Sequence, residues 1–255
     1  MNLKSNSGKM NPKPMRHVMT KESLKINADF NDRAVINTAD ADWISSPSAG
    51  VDRIMLDRIG DEVARATTLV RFAPGSKFPM HPHGGGEEFM VLDGIFSDQF
   101  GDFGPGSYIR NPVGTSHAPF TEKGCTLFVK LWQFQNDDLS PVKMDTRAMA
   151  FAPGLVDGLS VLPLHQFGTE SVALVRWQPG TVFNRHSHYG GEEIFVIEGT
   201  FEDEFGSYPT GTWIRSPHQS QHTPFSSDGC LIYVKTGHLL ADDGTLNDPA
   251  SRSVS

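Results

Sequence analysis

Shifted along itself by 105 residues, the chain meets its own second half. "LVRFAPGSKFPMHPHGGGEEFMVLDG" falls on "LVRWQPGTVFNRHSHYGGEEIFVIEG", "FGPGSYIRNPVGTSHAPF" on "YPTGTWIRSPHQSQHTPF", and "GCTLFVK" on "GCLIYVK", all without a gap. Between 67–130 and 172–235, 29 of 64 positions are identical. This is a duplicated domain, so any fold for the chain must be built from two copies of one unit.

Each copy reads as strands. "ATTLVRF", "EFMVLDGIF", "GSYIRNP" and "CTLFVKLWQF" are short runs of β-branched and aromatic residues, bounded by Gly, Pro, Asn or Asp. That pattern predicts an all-β fold of two tandem barrels or sandwiches, with no long amphipathic helix. The expected organisation is an N-terminal arm over 1–42, taken to be flexible, a first domain over 43–137 and a linker over 138–147. A second domain over 148–242 and a frayed polar tail over 243–255 complete it.

Composition narrows the function classes. Hydrophobic residues make up 38% of the 255 positions, enough for a core in each domain. The net charge is −8, and because Lys4, Lys9, Lys13, Arg16 and Lys21 put +5 on the first 21 residues, the remainder carries −13. An acidic body of that kind argues against nucleic acid as a partner. No run approaches the length of a membrane span, no apolar secretion signal opens the chain, and only Cys125 and Cys230 are present. A cytoplasmic protein without a disulfide framework is the expectation.

Six of the ten histidines fall in the repeat. His81 and His83 stand two apart, so on a strand both leave the same face. Glu87 follows after three glycines, and His117 lies in a Pro- and Gly-containing turn further on. His186, His188, Glu192 and His222 repeat the set. Three imidazoles and a carboxylate suit a divalent transition metal, one per domain, with Fe, Zn, Ni and Mn all compatible with the donors.

The spacing resembles a known family. Gly75-x5-His81-x-His83-x3-Glu87-x6-Gly94, and its copy from Gly180 through His186, His188 and Glu192 to Gly199, match the first cupin motif. Gly106-x5-Pro112-x-Gly114-x2-His117 matches the second, and its copy ends in His222 with Gln219 where the glycine belongs. The usual Asn near the end of that motif is replaced by Thr121 and Ser226. Over residues 45–240 the chain is similar to a bicupin of the ChrR-like group, the cupin half of an anti-sigma factor and relatives described as dioxygenases. The resemblance implies jelly-roll barrels, each with one metal on its His, His, Glu and His. It does not carry over anti-sigma activity, because residues 1–45 hold one histidine, His17, and no cysteine for a sigma-binding zinc domain.

Two function classes follow. The first is a metal-dependent dioxygenase acting on a small aromatic or dicarbonyl compound, with Glu87 or Glu192 able to accept a proton at the metal. The second is a non-enzymatic zinc protein that senses oxidants or electrophiles through its ligands or through Cys125 and Cys230. A sugar or small-acid isomerase is a third, with no residue that singles it out. In each case the partner is a small molecule, with no membrane, and a homodimer paired through edge strands is compatible.

Other residues have plainer expectations. Arg71, Arg176, Arg110 and Arg215 recur at matched strand positions and are expected to pair structurally with acidic neighbours. Phe78 and Phe183 precede the histidines and fill core or wall. The glycines Gly84–Gly86 are expected to loosen access to the first pocket. His165, His218 and His238 lack a repeat partner and are expected to be exposed, with His218 near enough to His222 to steady it.

Overall fold

The computed structural model describes residues 23–240. Two β-sheets of matching order carry the two repeats. In the first, the strands run Lys25–Ile26, Val51–Ile59, Arg65–Phe72, Cys125–Leu131, Glu87–Gly94, Ser107–Asn111 and Val142–Asp145. In the second they run Ala152–Pro153, Leu159–Phe167, Glu170–Trp177, Cys230–Thr236, Glu192–Asp203, Thr212–Ser216 and Ala34–Asn37. Short two-stranded ribbons close the other side of each barrel. Among the described residues the only helix is one turn of 3₁₀ over Thr146–Ala148.

The last strand of each sheet comes from the wrong repeat. Ala34–Asn37 precedes the first barrel yet pairs antiparallel with Thr212–Ser216 in the second. Val142–Asp145 precedes the second barrel yet pairs with Ser107–Asn111 in the first. The exchange covers one edge of each sheet, which would otherwise offer unpaired backbone groups. Part of the segment expected as an arm, and part of the expected linker, are therefore strands. Residues 1–22 of that arm and the tail over 243–255 lie outside the described residues.

Strand alternation divides the apolar residues among three cores. In Glu87–Gly94, Phe89 and Val91 point into the first barrel, while Met90 points away from it. In Glu192–Asp203, Ile194 and Val196 point into the second barrel and Phe195 away. The outward sets meet between the barrels, where Phe128 stacks on Phe195 with centroids 4.7 Å apart. The period-2 geometry of a strand makes this division obligatory.

The same alternation splits each Glu-Glu pair. Glu87 and Glu192 face their barrels; Glu88 and Glu193 face the joint. There Lys130 of the first repeat meets Glu193 of the second at 2.6 Å, and Lys235 of the second meets Glu88 of the first at 2.8 Å. All four side chains are buried. The matched arginines Arg110 and Arg215 are buried in the same layer, Arg110 on Glu88, Glu170 and Asp138 and Arg215 on Asp57.

Candidate metal centres

The first centre is assembled by three strand segments. His81 begins the short strand His81–Pro82, which pairs with Ser116–His117 so that His117 stands opposite His81. Glu87 opens the next long strand, opposite Asn111. One donor atom from each of His81, His83, Glu87 and His117 lies within 4.8 Å of the others. Glu87 Oε2 is 3.3 Å from His83 Nε2 and 3.4 Å from His117 Nε2. Ligands held about 2.0–2.2 Å from one metal ion lie about 3 Å apart when adjacent, so these spacings fit a common ion.

The tautomers are set from behind. Thr115 Oγ1 donates to the Pro112 carbonyl at 2.7 Å, so toward His83 Nδ1 at 2.8 Å it can only accept. His83 therefore carries its proton on Nδ1 and turns a bare Nε2 toward Glu87. His81 Nδ1 donates to the Pro79 carbonyl at 3.2 Å, and His117 Nδ1 faces Asp98 Oδ2 at 3.4 Å. The Nε2 atoms of His83 and His117 are buried without any hydrogen-bond partner. Orphaned buried nitrogens aimed at a carboxylate are costly unless something binds them, and a metal ion is what that donor set accepts.

The second centre repeats the plan with differences. His188 Nε2 lies 3.1 Å from His222 Nε2 and 3.4 Å from Glu192 Oε1, and His222 Nε2 lies 3.5 Å from Glu192 Oε2. His186 Nδ1 donates to the Asn184 carbonyl at 2.9 Å, and Asp203 Oδ2 faces His222 Nδ1 at 3.5 Å. Asn111, which steadies Glu87 at 3.1 Å, is replaced by Ser216, and Glu192 Oε2 is left without a hydrogen bond. Asp98 and Asp203 were missed by the sequence reading, although they too recur at the repeat offset.

Burial controls protonation in the absence of an ion. It pushes the carboxyls of Glu87 and Glu192 up to about 7. Burial and the neighbouring imidazoles bring His83 down to about 4 and His188 to about 3; burial, His81 and Lys143 bring His117 to about 4. Burial lowers His186 as well. For His222 burial works the same way, but the Asp203 hydrogen bond and Glu192 outweigh it and leave the ring above its ordinary value.

Each centre opens into its own cavity. The first is about 450 Å³, with Phe78 in its wall beside His81, Glu87 and His117. The second is about 200 Å³ and almost wholly apolar beyond its ligands, with Phe183, Trp177 and Phe201 in its wall. The glycines of the first centre do not serve access. A Cβ on Gly85 would come within 2.3 Å of the Trp132 ring and one on Gly84 within 2.9 Å. They are bare because Trp132 lies on them.

The remaining histidines depart from their expected roles, whereas the cysteines are plain buried strand residues. His165 bonds Asp138 at 2.8 Å, His238 bonds Glu193 at 2.9 Å, and His238 is buried, so neither is an ordinary exposed side chain. His218 accepts from the Gly190 amide at 2.8 Å and holds the turn after His188 instead of touching His222. Arg71 pairs with Asp52 at 3.0 Å, and Arg176 lies over the Phe151 ring. Cys125 and Cys230 are buried strand residues whose thiols burial pushes up to about 11. Thiolate is the reactive form, so both should stay unmodified by a disulfide reagent in the native protein and react only on unfolding. Rapid native labelling, read by absorbance, would contradict this.

Comparison with known proteins supplies the context. The family model described as the ChrR cupin-like domain matches twice, over residues 31–135 and 140–240. No curated protein matches the chain. Among solved structures, a candidate dioxygenase from Nostoc punctiforme aligns with a TM-score of 0.67 at 13% identity, covering 81% of this chain and 82% of its own. Protein YlbA of E. coli aligns with a TM-score of 0.63 at 13% identity, covering 88% and 97%. Oxalate decarboxylase of Lactobacillus farciminis, in its formate complex, aligns with a TM-score of 0.58 at 12% identity, covering 80% and 86%. At such identities the likeness is one of fold. Among the described residues no helix is long and apolar enough to cross a membrane.

Proposed function

The chain belongs to the ChrR cupin-like family in both of its repeats, and from that membership we propose that it is a dioxygenase-like metalloprotein acting on a small aromatic or dicarbonyl compound. The observation that carries the reading is the pair of buried, partnerless Nε2 atoms on His83 and His117. With Glu87 they face one point beside a cavity that Glu87 and His117 line. Iron held by His81, His83, Glu87 and His117, and by His186, His188, Glu192 and His222, would supply dioxygen and substrate activation.

The chain's own part is positioning and exclusion. Thr115 and the Pro79 carbonyl lock the first-centre rings with Nε2 forward, and Asn111 fixes the Glu87 carboxylate. Phe72, Phe78 and Leu127 line the cavity with apolar surface that keeps water from a bound molecule. Glu87, once displaced from the ion by a bound molecule, would be free to accept a proton at its carboxyl oxygen. The fold neighbour from Nostoc punctiforme is described as a candidate dioxygenase, which is compatible with this reading. The sensing alternative finds less support, since both thiols are buried and held in their unreactive form.

Metal content and oxygen uptake test the proposal together. Protein isolated anaerobically without chelator should carry about two equivalents of iron, one for each His₃Glu set. It should consume oxygen with a diketone or an acylphenol and not with either compound alone. Tightly held zinc with no oxygen uptake across those substrates would sink the reading.

A further inference from the structure

The first cavity has a charged end that the second lacks. Arg53 and Arg58, on the strand Val51–Ile59, line it, and so does Glu62 on the hairpin that follows. The residues 105 positions later are Gly158, Pro163 and Phe167, and none of them lines the second cavity. This difference is independent of the metal ligands, which match in both repeats.

The two arginines at that end are held differently. Arg53 holds Glu62 by two bonds, of 2.9 and 3.1 Å. Arg58 spends its donors on the backbone carbonyls of Gly60, Asp61 and Glu62 and forms no ion pair among the described residues. Of the two guanidiniums only Arg53 contacts a carboxylate side chain, while Arg58 is anchored to backbone with Glu62 and Asp61 nearby. Arg53 Nε is buried and has no acceptor. The Glu62 side chain is 59% exposed against 15% for Arg53, so the carboxylate sits on the solvent side of the pair. Exposed ion pairs of this kind are weak and exchange readily.

We propose that the first barrel takes a carboxylate-bearing small molecule, whose anionic group replaces Glu62 on the Arg53 fork while another part of it reaches the His81, His83, Glu87 and His117 centre. A guanidinium fork matches a carboxylate by two parallel bonds, so the replacement conserves what Glu62 gives up. Arg53 is then the residue that selects for charge, and the apolar second cavity takes a different, uncharged ligand or none. The metal end of this arrangement rests on the function proposed above; the Arg53 end does not.

The test uses 3,4-dihydroxybenzoate and its neutral shape-mate 3,4-dihydroxybenzamide, titrated calorimetrically into the full chain, first metal-free and then saturated with zinc. The acid should bind about tenfold or more tighter than the amide, as a two-bond charge-assisted contact predicts. Arg53→Met should bring the two within about twofold of each other, because only the acid uses the fork. Glu62→Gln, at an exposed position that leaves the fold undisturbed, should raise affinity for the acid several-fold and leave the amide unchanged. Equal binding of acid and amide, a preference that survives Arg53→Met, or weaker acid binding in Glu62→Gln would each overturn the proposal. Failure of zinc to bind would count against the metal reading alone, since the acid-to-amide ratio is still measured in the metal-free protein.

Discussion

Glu193→Ala should lower the stability of the folded chain by about 3–5 kcal/mol, the cost of leaving a buried charge uncompensated. Lys130 Nζ has two partners, Glu193 Oε2 at 2.6 Å and the Thr67 hydroxyl at 3.0 Å. Burial alone would drive the Glu193 carboxyl up, but Lys130 and His238 outweigh it and hold the group well below the usual carboxylate range. Removing the carboxylate leaves Lys130, Arg65 and Arg215 in one buried layer with Asp57 as the remaining carboxylate bonded there. It also strips the acceptor from Trp213 Nε1, now bonded at 2.6 Å, and from His238. The paired variant Glu193→Leu with Lys130→Met removes both charges and should recover a substantial part of the loss, because only neutral donors are then unsatisfied. Denaturant unfolding followed by circular dichroism measures both. A Glu193→Ala protein within about 0.5 kcal/mol of the parent would show that the joint is not held as described.

Metal affinity should fall by about fiftyfold between pH 7 and pH 5 at the first centre, approaching tenfold per pH unit for the one carboxyl proton displaced. The sign follows from the free site. Its carboxyl, raised to about 7, must give up a proton to become a ligand, whereas His83 and His117, lowered to about 4, are already neutral over that range. The Glu87 proton therefore competes with the ion over that range, and His83 and His117 begin to compete as pH approaches 4. At the second centre the Asp203 hydrogen bond and Glu192 hold His222 above its ordinary value, so acid competes at it as well as at Glu192 and the fall should be steeper. On slow acidification the chain should lose metal from the His188 centre first. Competition titrations with a chromophoric chelator, repeated on His188→Ala, would follow this. Affinity flat between pH 7 and pH 5 would remove Glu87 from the ligand set.

The grouping of the histidines with Glu87 was legible because the repeat prints rare residues at one spacing twice, and the fold brings their donor atoms together. The all-β barrels were legible for a related reason: the strands are short, β-branched and punctuated by turn residues. The second glutamate of each pair was not read, although strand alternation sends Glu88 and Glu193 to the opposite face from Glu87 and Glu192. Their partners Lys235 and Lys130 lie 147 and 63 residues away. Nothing in the local pattern says that one barrel's outer face is the other's partner. The exchanged strands were hidden for the same reason, since "AVIN" has no repeat mate that marks it as a strand of the second sheet. Arg53 escaped notice because duplication draws attention to what is shared, and Arg53 is unique to one copy.

The reciprocal strands and crossed lysine–glutamate pairs give one polypeptide the internal symmetry of two identical subunits. In a true pair of identical subunits every substitution is made twice, and a change that suits one pocket is forced on the other. Joined in a single chain, the two barrels keep the mutual support of such a pair while each position is free to vary alone. That freedom allows an arginine at the mouth of one cavity and glycine at the matching place in the other, with both still leaning on the same shared wall.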